Sequence, residues 1–176
     1  MMDIKNLYEK WKRYVHSNWD ELKNISGSDS EKHYFVSIDF SKEEQSILDI
    51  EDELSVTFPE SFVEFYRQVG FGFLCVNDKK KKGQYRIFSP EELLDLYFEP
   101  EDNNNEDIFI TFRMSAWEKF EENNLLAFCS FGDEDSLIYI GVTDGAIYYL
   151  SPTRKIAESL YDFLSLMDEE VDYFIK

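Results

Sequence analysis

The spacing of apolar residues predicts helices at both ends of the chain. Residues 3–22 carry apolar side chains at helical intervals, which predicts an amphipathic N-terminal helix. A second helix is expected from Ser41, because Ser41-Lys42-Glu43-Glu44 has the form of a capping box. A third follows Pro59 and ends at Gly70, since glycine tolerates the left-handed conformation of a helix C-terminus. A long C-terminal helix is expected from Thr153 onward.

Between these helices, alternating or short apolar runs predict strands. The runs are HYFVSIDF (33–40), FGFLCVN (71–77), QYRIF (84–88), LLAFCSF (125–131), SLIYIG (136–141) and AIYYL (146–150). Asp144-Gly145 predicts a hairpin before the last of them. Ser89-Pro90-Glu91-Glu92 predicts a further capped helix, and residues 115–124 predict one or two helical turns. The predicted fold class is α+β, a mostly antiparallel sheet with packed helices at the N-terminal and C-terminal ends.

Composition limits the kinds of ligand that this chain can bind. The 176 residues hold 37 Asp and Glu against 18 Lys and Arg, a net charge of −19. Binding to nucleic acid or to an acidic membrane surface needs clustered cations, so direct contact with either is not expected. No apolar run approaches the roughly 20 residues of a membrane span, and the N-terminus does not resemble a signal peptide. We therefore expect a cytoplasmic protein, either a monomer or a weak dimer.

Residues that would carry catalysis are sparse. The two histidines, His16 and His33, fall in the predicted N-terminal helix and at the start of a predicted strand, and neither belongs to a zinc-binding pattern. The acidic turn Asp133-Glu134-Asp135 is the best candidate metal site, but it fails the EF-hand pattern and a solvated turn is the simpler interpretation. Cys75 and Cys129 lie in apolar contexts typical of buried thiols. We expect no catalytic residue, no cofactor and no bound metal, and hence no enzyme.

The order of three motifs resembles a known protein family. The first is a helix ending near Phe58-Pro59 that runs into a second helix with Phe65, Tyr66 and Gly70. The second is an apolar strand, a Gly-Asp turn, another apolar strand, an Asp-Gly or Asn-Gly turn and an aromatic strand, in that order. It is matched here by Phe128, Gly132, Asp133, Leu137, Ile140, Gly145, Ile147 and Tyr148. The third is Phe163-Leu164 in the closing helix. Together they resemble the SUKH superfamily, the Smi/Knr-type proteins.

The resemblance divides the chain and suggests a function. Residues 41–176 correspond to the SUKH-like domain, and residues 1–40 form an N-terminal helix and extension, within a single folding unit overall. Bacterial SUKH proteins are largely immunity proteins of polymorphic toxin systems, which bind the C-terminal toxic domain of a secreted toxin. The resemblance therefore implies an immunity protein that occludes a cognate toxin domain, with a basic nuclease as the expected partner. A regulatory protein-binding scaffold of the Smi/Knr type is the alternative.

Two acidic blocks are candidates for the partner-binding surface. Residues 91–107 hold eight acidic residues and residues 158–172 hold six, with no Lys or Arg in either block. One-sided charge steers an oppositely charged partner, although solvated charge also serves solubility alone. The candidate contact residues are Glu99, Glu101, Asp102, Glu106, Asp107, Asp133, Glu134, Asp135 and Trp117. Tyr97, Phe98 and Tyr139 are further candidate aromatic anchors, with core packing as the alternative for each aromatic residue.

Overall fold

The computed structural model describes residues 6–20, 33–74, 85–98, 108–131, 136–150, 153–171 and 173–175, and the structural statements below concern these residues. Its helices are a 3₁₀ helix, Glu9–Tyr14, and five α-helices: α1 (Phe40–Leu54), α2 (Glu60–Gln68), α3 (Pro90–Tyr97), α4 (Ile108–Asn123) and α5 (Leu160–Glu169). Its strands are β1 (Val15–His16), β2 (His33–Val36), β3 (Phe71–Leu74), β4 (Tyr85–Ile87), β5 (Leu125–Phe131), β6 (Ser136–Gly141), β7 (Ile147–Leu150) and β8 (Thr153–Ala157).

All eight described strands form one sheet, and their order in the sheet follows their order along the chain. β1 pairs with β2 in parallel, and each later pair is antiparallel. A bulge interrupts the pairing of β5 with β6 between Ala127 and Cys129. The predicted α+β class with a mostly antiparallel sheet is therefore confirmed.

Aromatic side chains fill the space between the sheet and helices α2 and α5. Phe128 on β5 packs edge-on against Phe62 of α2 and Phe163 of α5, with ring centroids 5.6 and 6.1 Å apart. Phe35 on β2 meets Phe65 of α2 in the same way, at 5.7 Å. All five rings are fully buried. Such contacts add to the large hydrophobic contribution of aromatic burial.

Gly70 joins α2 to β3 and takes a conformation that only glycine adopts readily. Its φ is +102°, and its amide donates to the carbonyl of Phe65 at 3.1 Å. A Cβ atom at this position would lie 2.0 Å from the carbonyl oxygen of Val36. The predicted helix stop at Gly70 is confirmed, and the absence of a side chain also lets α2 end directly against β2.

Local hydrogen bonds account for two further features that the sequence predicts, the start of α3 and the turn between β6 and β7. Ser89 and Glu92 form the expected capping box of α3, with side chain to amide distances of 3.1 and 2.9 Å. Asp144 accepts the amide hydrogen of Ala146 at 3.0 Å, and Gly145 has a φ of +68°, so the Asp-Gly pair closes the turn between β6 and β7.

The N-terminal segment differs from the predicted amphipathic α-helix over residues 3–22. Its described part holds a 3₁₀ helix, Glu9–Tyr14, followed by β1. Tyr8, Trp11 and Tyr14 are buried and recur every three residues, which is the periodicity of a 3₁₀ helix rather than an α-helix. Three aromatic residues therefore face the core together, and the prediction of an α-helix is wrong here.

Helix α1 begins one residue before the predicted capping box. Asp39 is its N-cap, and the hydroxyl of Ser41 donates to the Asp39 carboxylate at 2.6 Å instead of capping the helix. Phe40 forms the first helical position and lies beneath the guanidinium of Arg67, 4.5 Å from the ring centroid. Packing of Phe40 extends the helix toward the N-terminus, so the capping box at Ser41 is not formed.

The largest differences between the predicted and the observed elements concern helix α4 and the segment that follows β7. Residues 115–124 were expected to give one or two helical turns, whereas α4 spans Ile108–Asn123. The predicted long helix from Thr153 is wrong over residues 153–159, because Thr153–Ala157 forms strand β8 against β7. The helix begins only at Leu160, after Ser159 caps the amide of Asp162 at 3.1 Å.

Candidate partner-binding surface

An acidic groove lies between strand β8 and helix α5. It has a volume of about 640 Å³. The half-buried Ile156 and Leu166 and the buried Ala157 provide its apolar lining, and the exposed Glu158, Asp162 and Glu169 bring carboxylates to it. The groove exists because the chain turns from β8 directly into α5, so that one helix face stands beside the last strand of the sheet.

Lys155 is the cation that lines this groove. Its ammonium lies 3.0 Å from a carboxylate oxygen of Glu158, and this hydrogen bond raises the pKa of the Lys155 ammonium. Both side chains remain exposed, so solvent screens the ion pair and the pair contributes little to stability. Glu158, Asp162 and Glu169 outnumber Lys155, and the groove presents negative charge.

In its described part, the first acidic block (residues 91–107) offers fewer exposed carboxylates to a partner than the groove does. In its described part, Glu92 is already used, because its carboxylate binds the Ser89 amide and the Arg86 guanidinium. Glu91 and Asp95 are exposed on α3. The remaining predicted contact residues of this block, Glu99, Glu101, Asp102, Glu106 and Asp107, lie outside the described residues, as do Asp133, Glu134 and Asp135.

Among the nine predicted contact residues, Trp117 on α4 is the one that lies in the described part of the chain. Its indole N–H donates to the carbonyl of Tyr97 at 2.9 Å, and its ring meets those of Tyr97 and Phe120 edge-on. Trp117 is half-buried and fastens α4 to α3.

Two of the other candidate anchors belong to the core. Tyr97 and Tyr139 are each 3 % exposed, and burial raises the pKa of both phenols. The hydroxyl of Tyr97 accepts the amide hydrogen of Ala127 at 2.8 Å, which ties α3 to β5. Core packing, the alternative given for each aromatic candidate, accounts for both side chains. Phe98 is half-buried and packs edge-on against Trp117.

A hydrogen bond that the sequence did not reveal joins strand β2 to helix α5. His33 begins β2 and is fully buried, and its Nε2 lies 2.6 Å from a carboxylate oxygen of Asp168 on α5. Lys10 of the 3₁₀ helix approaches the other oxygen at 3.4 Å. The only signal in the sequence was a histidine inside an aromatic strand, 135 positions from its partner.

His16 also departs from its expected helical position, since it lies on β1 and its ring stacks on that of Tyr34, with the centroids 4.1 Å apart.

The His33–Asp168 contact predicts a pH-dependent contribution to stability. Burial by itself would raise the pKa of Asp168, but the His33 hydrogen bond and the nearby Lys10 bring the pKa below its ordinary value of 3.8. A carboxyl group with a lowered folded-state pKa stabilises the fold above its unfolded pKa, and this stabilisation is lost as the pH falls through the folded value. Asp168→Asn should therefore lower the free energy of unfolding at pH 7 by about 1–3 kcal/mol.

Urea denaturation at pH 7 and at successive values below pH 4 measures this effect. The difference between the parent and Asp168→Asn should shrink as the pH falls below the ordinary aspartate pKa. Asp52→Asn is the matched control, because Asp52 is exposed on α1. A difference between parent and Asp168→Asn that stays constant across this pH range would contradict the assignment.

Metal binding and membrane insertion would each require a recognisable feature in the described part of the chain. Nowhere among these residues do three or more His, Cys, Asp or Glu side chains come together as metal ligands. None of the described helices is both long enough and apolar enough to cross a membrane.

Comparison with known proteins identifies the family. The model of the SMI1 / KNR4 family (SUKH-1) matches residues 42–166. The chain is also 30 % identical over 141 residues to the Immunity protein YxxD of Bacillus subtilis (strain 168), a match that covers 78 % of this chain and 88 % of that relative. The segment that the family model matches runs from the first turn of α1 into α5 and includes Pro59, Gly70 and Asp144-Gly145. The chain therefore belongs to the SMI1 / KNR4 family (SUKH-1).

Proposed function

We propose that this protein is an immunity protein, which binds the toxic domain of a cognate polymorphic toxin in the cytoplasm and blocks it without catalysis. The observation that carries the proposal is the similarity to a relative named as an immunity protein, over most of both chains. The acidic groove beside α5 supports a mechanism in which protein surface covers protein surface. Occlusion needs no reactive group, only a contact area of about 800 Å² on each partner.

The charge of the chain favours a basic toxin domain, and a nuclease is the class that we propose. A nuclease must present Lys and Arg to the phosphates of its substrate. A protein with a net charge of −19 and carboxylates aligned along α5 is complementary to such a surface. The inhibitor would then occupy the surface on which the nucleic acid binds.

Co-expression tests the proposal directly. The C-terminal domain of a secreted toxin encoded beside this gene would be expressed in a sensitive host, with and without the present chain. We expect growth to be restored by the full chain, and a purified pair to co-elute as a stable complex. Growth arrest that persists despite a soluble, folded inhibitor would refute the immunity function. A chain that instead retains only endogenous host proteins would indicate a regulatory scaffold.

The salt dependence of binding tests the electrostatic part separately. If acidic steering contributes, raising the ionic strength from 50 to 500 mM should slow association of the purified toxin domain by about tenfold or more. The dissociation rate should change much less, because short-range contacts govern it. Surface plasmon resonance at several salt concentrations measures both rates. An association rate that does not respond to salt would assign the charge to solubility alone.

A further inference from the structure

The two edges of the sheet differ in their capacity to bind another strand. β1 forms one edge with only two residues, whereas β8 forms the other with five. Among the described strands, β8 pairs with β7 on one side and has no strand on its other side. In an antiparallel ladder, alternate residues direct their N–H and C=O groups away from the paired strand. The β8 edge therefore carries backbone donors and acceptors that a further strand can use.

The groove described above runs beside this edge. Ile156 and Ala157 of β8 and Leu166 of α5 give it an apolar lining against which side chains of an added strand can pack. The hydroxyl of Tyr173 already donates to the carbonyl of Ile156 at 2.7 Å. Backbone pairing is therefore expected mainly at Thr153, Arg154 and Lys155, with side chains of the added strand directed along the groove toward α5.

The charges around the groove specify the chemistry of that strand. Glu158, Asp162 and Glu169 line it, and the sequence from 156 to 175 contains no Lys or Arg. Lys155 is already paired with Glu158 and leaves the acidic excess in place. A strand with Lys or Arg at alternate positions would place those cations opposite the carboxylates, because side chains two residues apart lie on one face of a strand.

We propose that an extended, basic segment of the toxin domain adds to β8 as a ninth strand and fills the acidic groove. This inference rests on the proposed immunity function and assigns the contact surface within it. Backbone hydrogen bonds supply affinity in this mode of recognition, and alternating side chains supply specificity.

A second copy of the chain is a poorer occupant of the same edge. Two chains that each carry a net charge of −19 repel one another as they approach. β8 also has a pairing irregularity opposite Ile147 and Tyr148, a feature that discourages strands from pairing with copies of themselves. The edge is thus protected against self-association but remains open to a basic partner.

Charge reversal with a matched control tests the assignment. The variant Glu158→Lys/Glu169→Lys changes two groove carboxylates, while Glu44→Lys/Glu121→Lys makes the same change in net charge at exposed positions of α1 and α4 that do not line the groove. The probe is the purified toxin domain whose lethality the parent chain relieves. We expect the groove variant to lose affinity by about tenfold or more and the control to lose much less. Equal losses in the two variants would overturn the proposal.

Hydrogen exchange distinguishes strand addition from contacts made by side chains alone. Amides of residues 153–157 should exchange more slowly in the complex than in the free protein, by about tenfold or more, if a strand pairs with β8. An unchanged exchange rate in a saturated complex would overturn the proposal but leave the immunity function intact. Failure of the parent chain to bind or neutralise the toxin would instead remove the immunity function itself. Sedimentation of the free chain as a dimer that dissociates on mutation of the groove would identify a second copy as the occupant and would also overturn the proposal.

Discussion

Replacing Trp11 by alanine is expected to lower the free energy of unfolding by about 3–5 kcal/mol. Trp11 is fully buried, and its ring lies 5.7 Å from that of Tyr8 and 5.4 Å from that of Tyr161 on α5. Its indole N–H has no hydrogen-bond partner within the described part of the chain, so its contribution comes from packing. Trp11→Phe, which retains a ring, should therefore cost much less than Trp11→Ala.

Urea denaturation followed by circular dichroism measures these differences. Leu48→Ala is the control, because Leu48 is an apolar residue that is 49 % exposed, and its loss should cost about 0.5 kcal/mol or less. Trp11 lies before the segment that matches the family, residues 42–166. A cost for Trp11→Ala as small as that of Leu48→Ala would mean that the N-terminal segment is not part of the folding unit.

The contacts of this segment lead us to propose that the whole chain is one folding unit. Tyr8 packs edge-on against Phe65 of α2 and donates its hydroxyl hydrogen to the carbonyl of Ser61 at 2.8 Å. β2 pairs with β3 over four residues, from His33 opposite Leu74 to Val36 opposite Phe71. A domain that began at residue 41 would lose both the contacts of Tyr8 with α2 and the pairing of β2 with β3.

The second large effect is expected for Gly70→Ala, which should destabilise the protein by about 3 kcal/mol or more or prevent folding. The φ of +102° is unfavourable for any residue with a side chain, and the added Cβ would lie 2.0 Å from the carbonyl oxygen of Val36 and 2.8 Å from its carbonyl carbon. Both are backbone atoms of the neighbouring strand, so relief of the clash requires α2 and β2 to separate.

Gly145→Ala provides the matched control at a turn with positive φ. At Gly145 the φ is +68° and the nearest atom to an added Cβ is the Cβ of Pro59, at 3.6 Å, which is an ordinary contact. Only the left-handed backbone is then penalised, at a cost of about 1 kcal/mol. Thermal and urea unfolding of the two variants should separate them clearly. Equal destabilisation would show that backbone conformation, and not the close approach of β2, dominates at Gly70.

The parts of the fold that the sequence predicted correctly are governed by short-range chemistry. Gly70, the Ser89 capping box and Asp144-Gly145 each act through hydrogen bonds or backbone angles within a few residues. The backbone angles and local hydrogen bonds at these positions can therefore be predicted without knowledge of distant contacts, although the close approach of β2 also requires glycine at position 70. The same holds for β5 and β6, whose apolar runs are long enough to be recognised without knowledge of their partners.

The incorrect predictions arose where a distant partner determines the local structure. Ile156 stands four residues before Leu160, so it fits the helical spacing of α5, yet pairing with β7 places it in a strand. Ser151-Pro152 between two runs was the available signal for a hairpin, since proline is common in turns. The 3₁₀ geometry of the N-terminal segment likewise follows from the burial of Tyr8, Trp11 and Tyr14 against the rest of the core.

For the candidate site, too, the sequence predicted the local property, which is charge, but not the arrangement that depends on distant contacts. The acidic residues of α5 were evident from the sequence, since charge can be counted directly. Their arrangement around a groove depends on β8 being the last strand and on α5 packing beside it, which follows from the tertiary fold. The His33–Asp168 contact was beyond prediction for the same reason, because it joins residues that only the folded chain brings together.

The sequential order of strands in the sheet has a consequence for how the chain folds. Each strand finds its neighbour in the next strand along the chain, so the sheet can extend stepwise as the protein is synthesised. Contacts such as Lys10 with Ser165, 155 positions apart, cannot form until α5 has left the ribosome. We expect the aromatic N-terminal segment to wait for this last helix, so that the two termini close the structure in the final stage of folding.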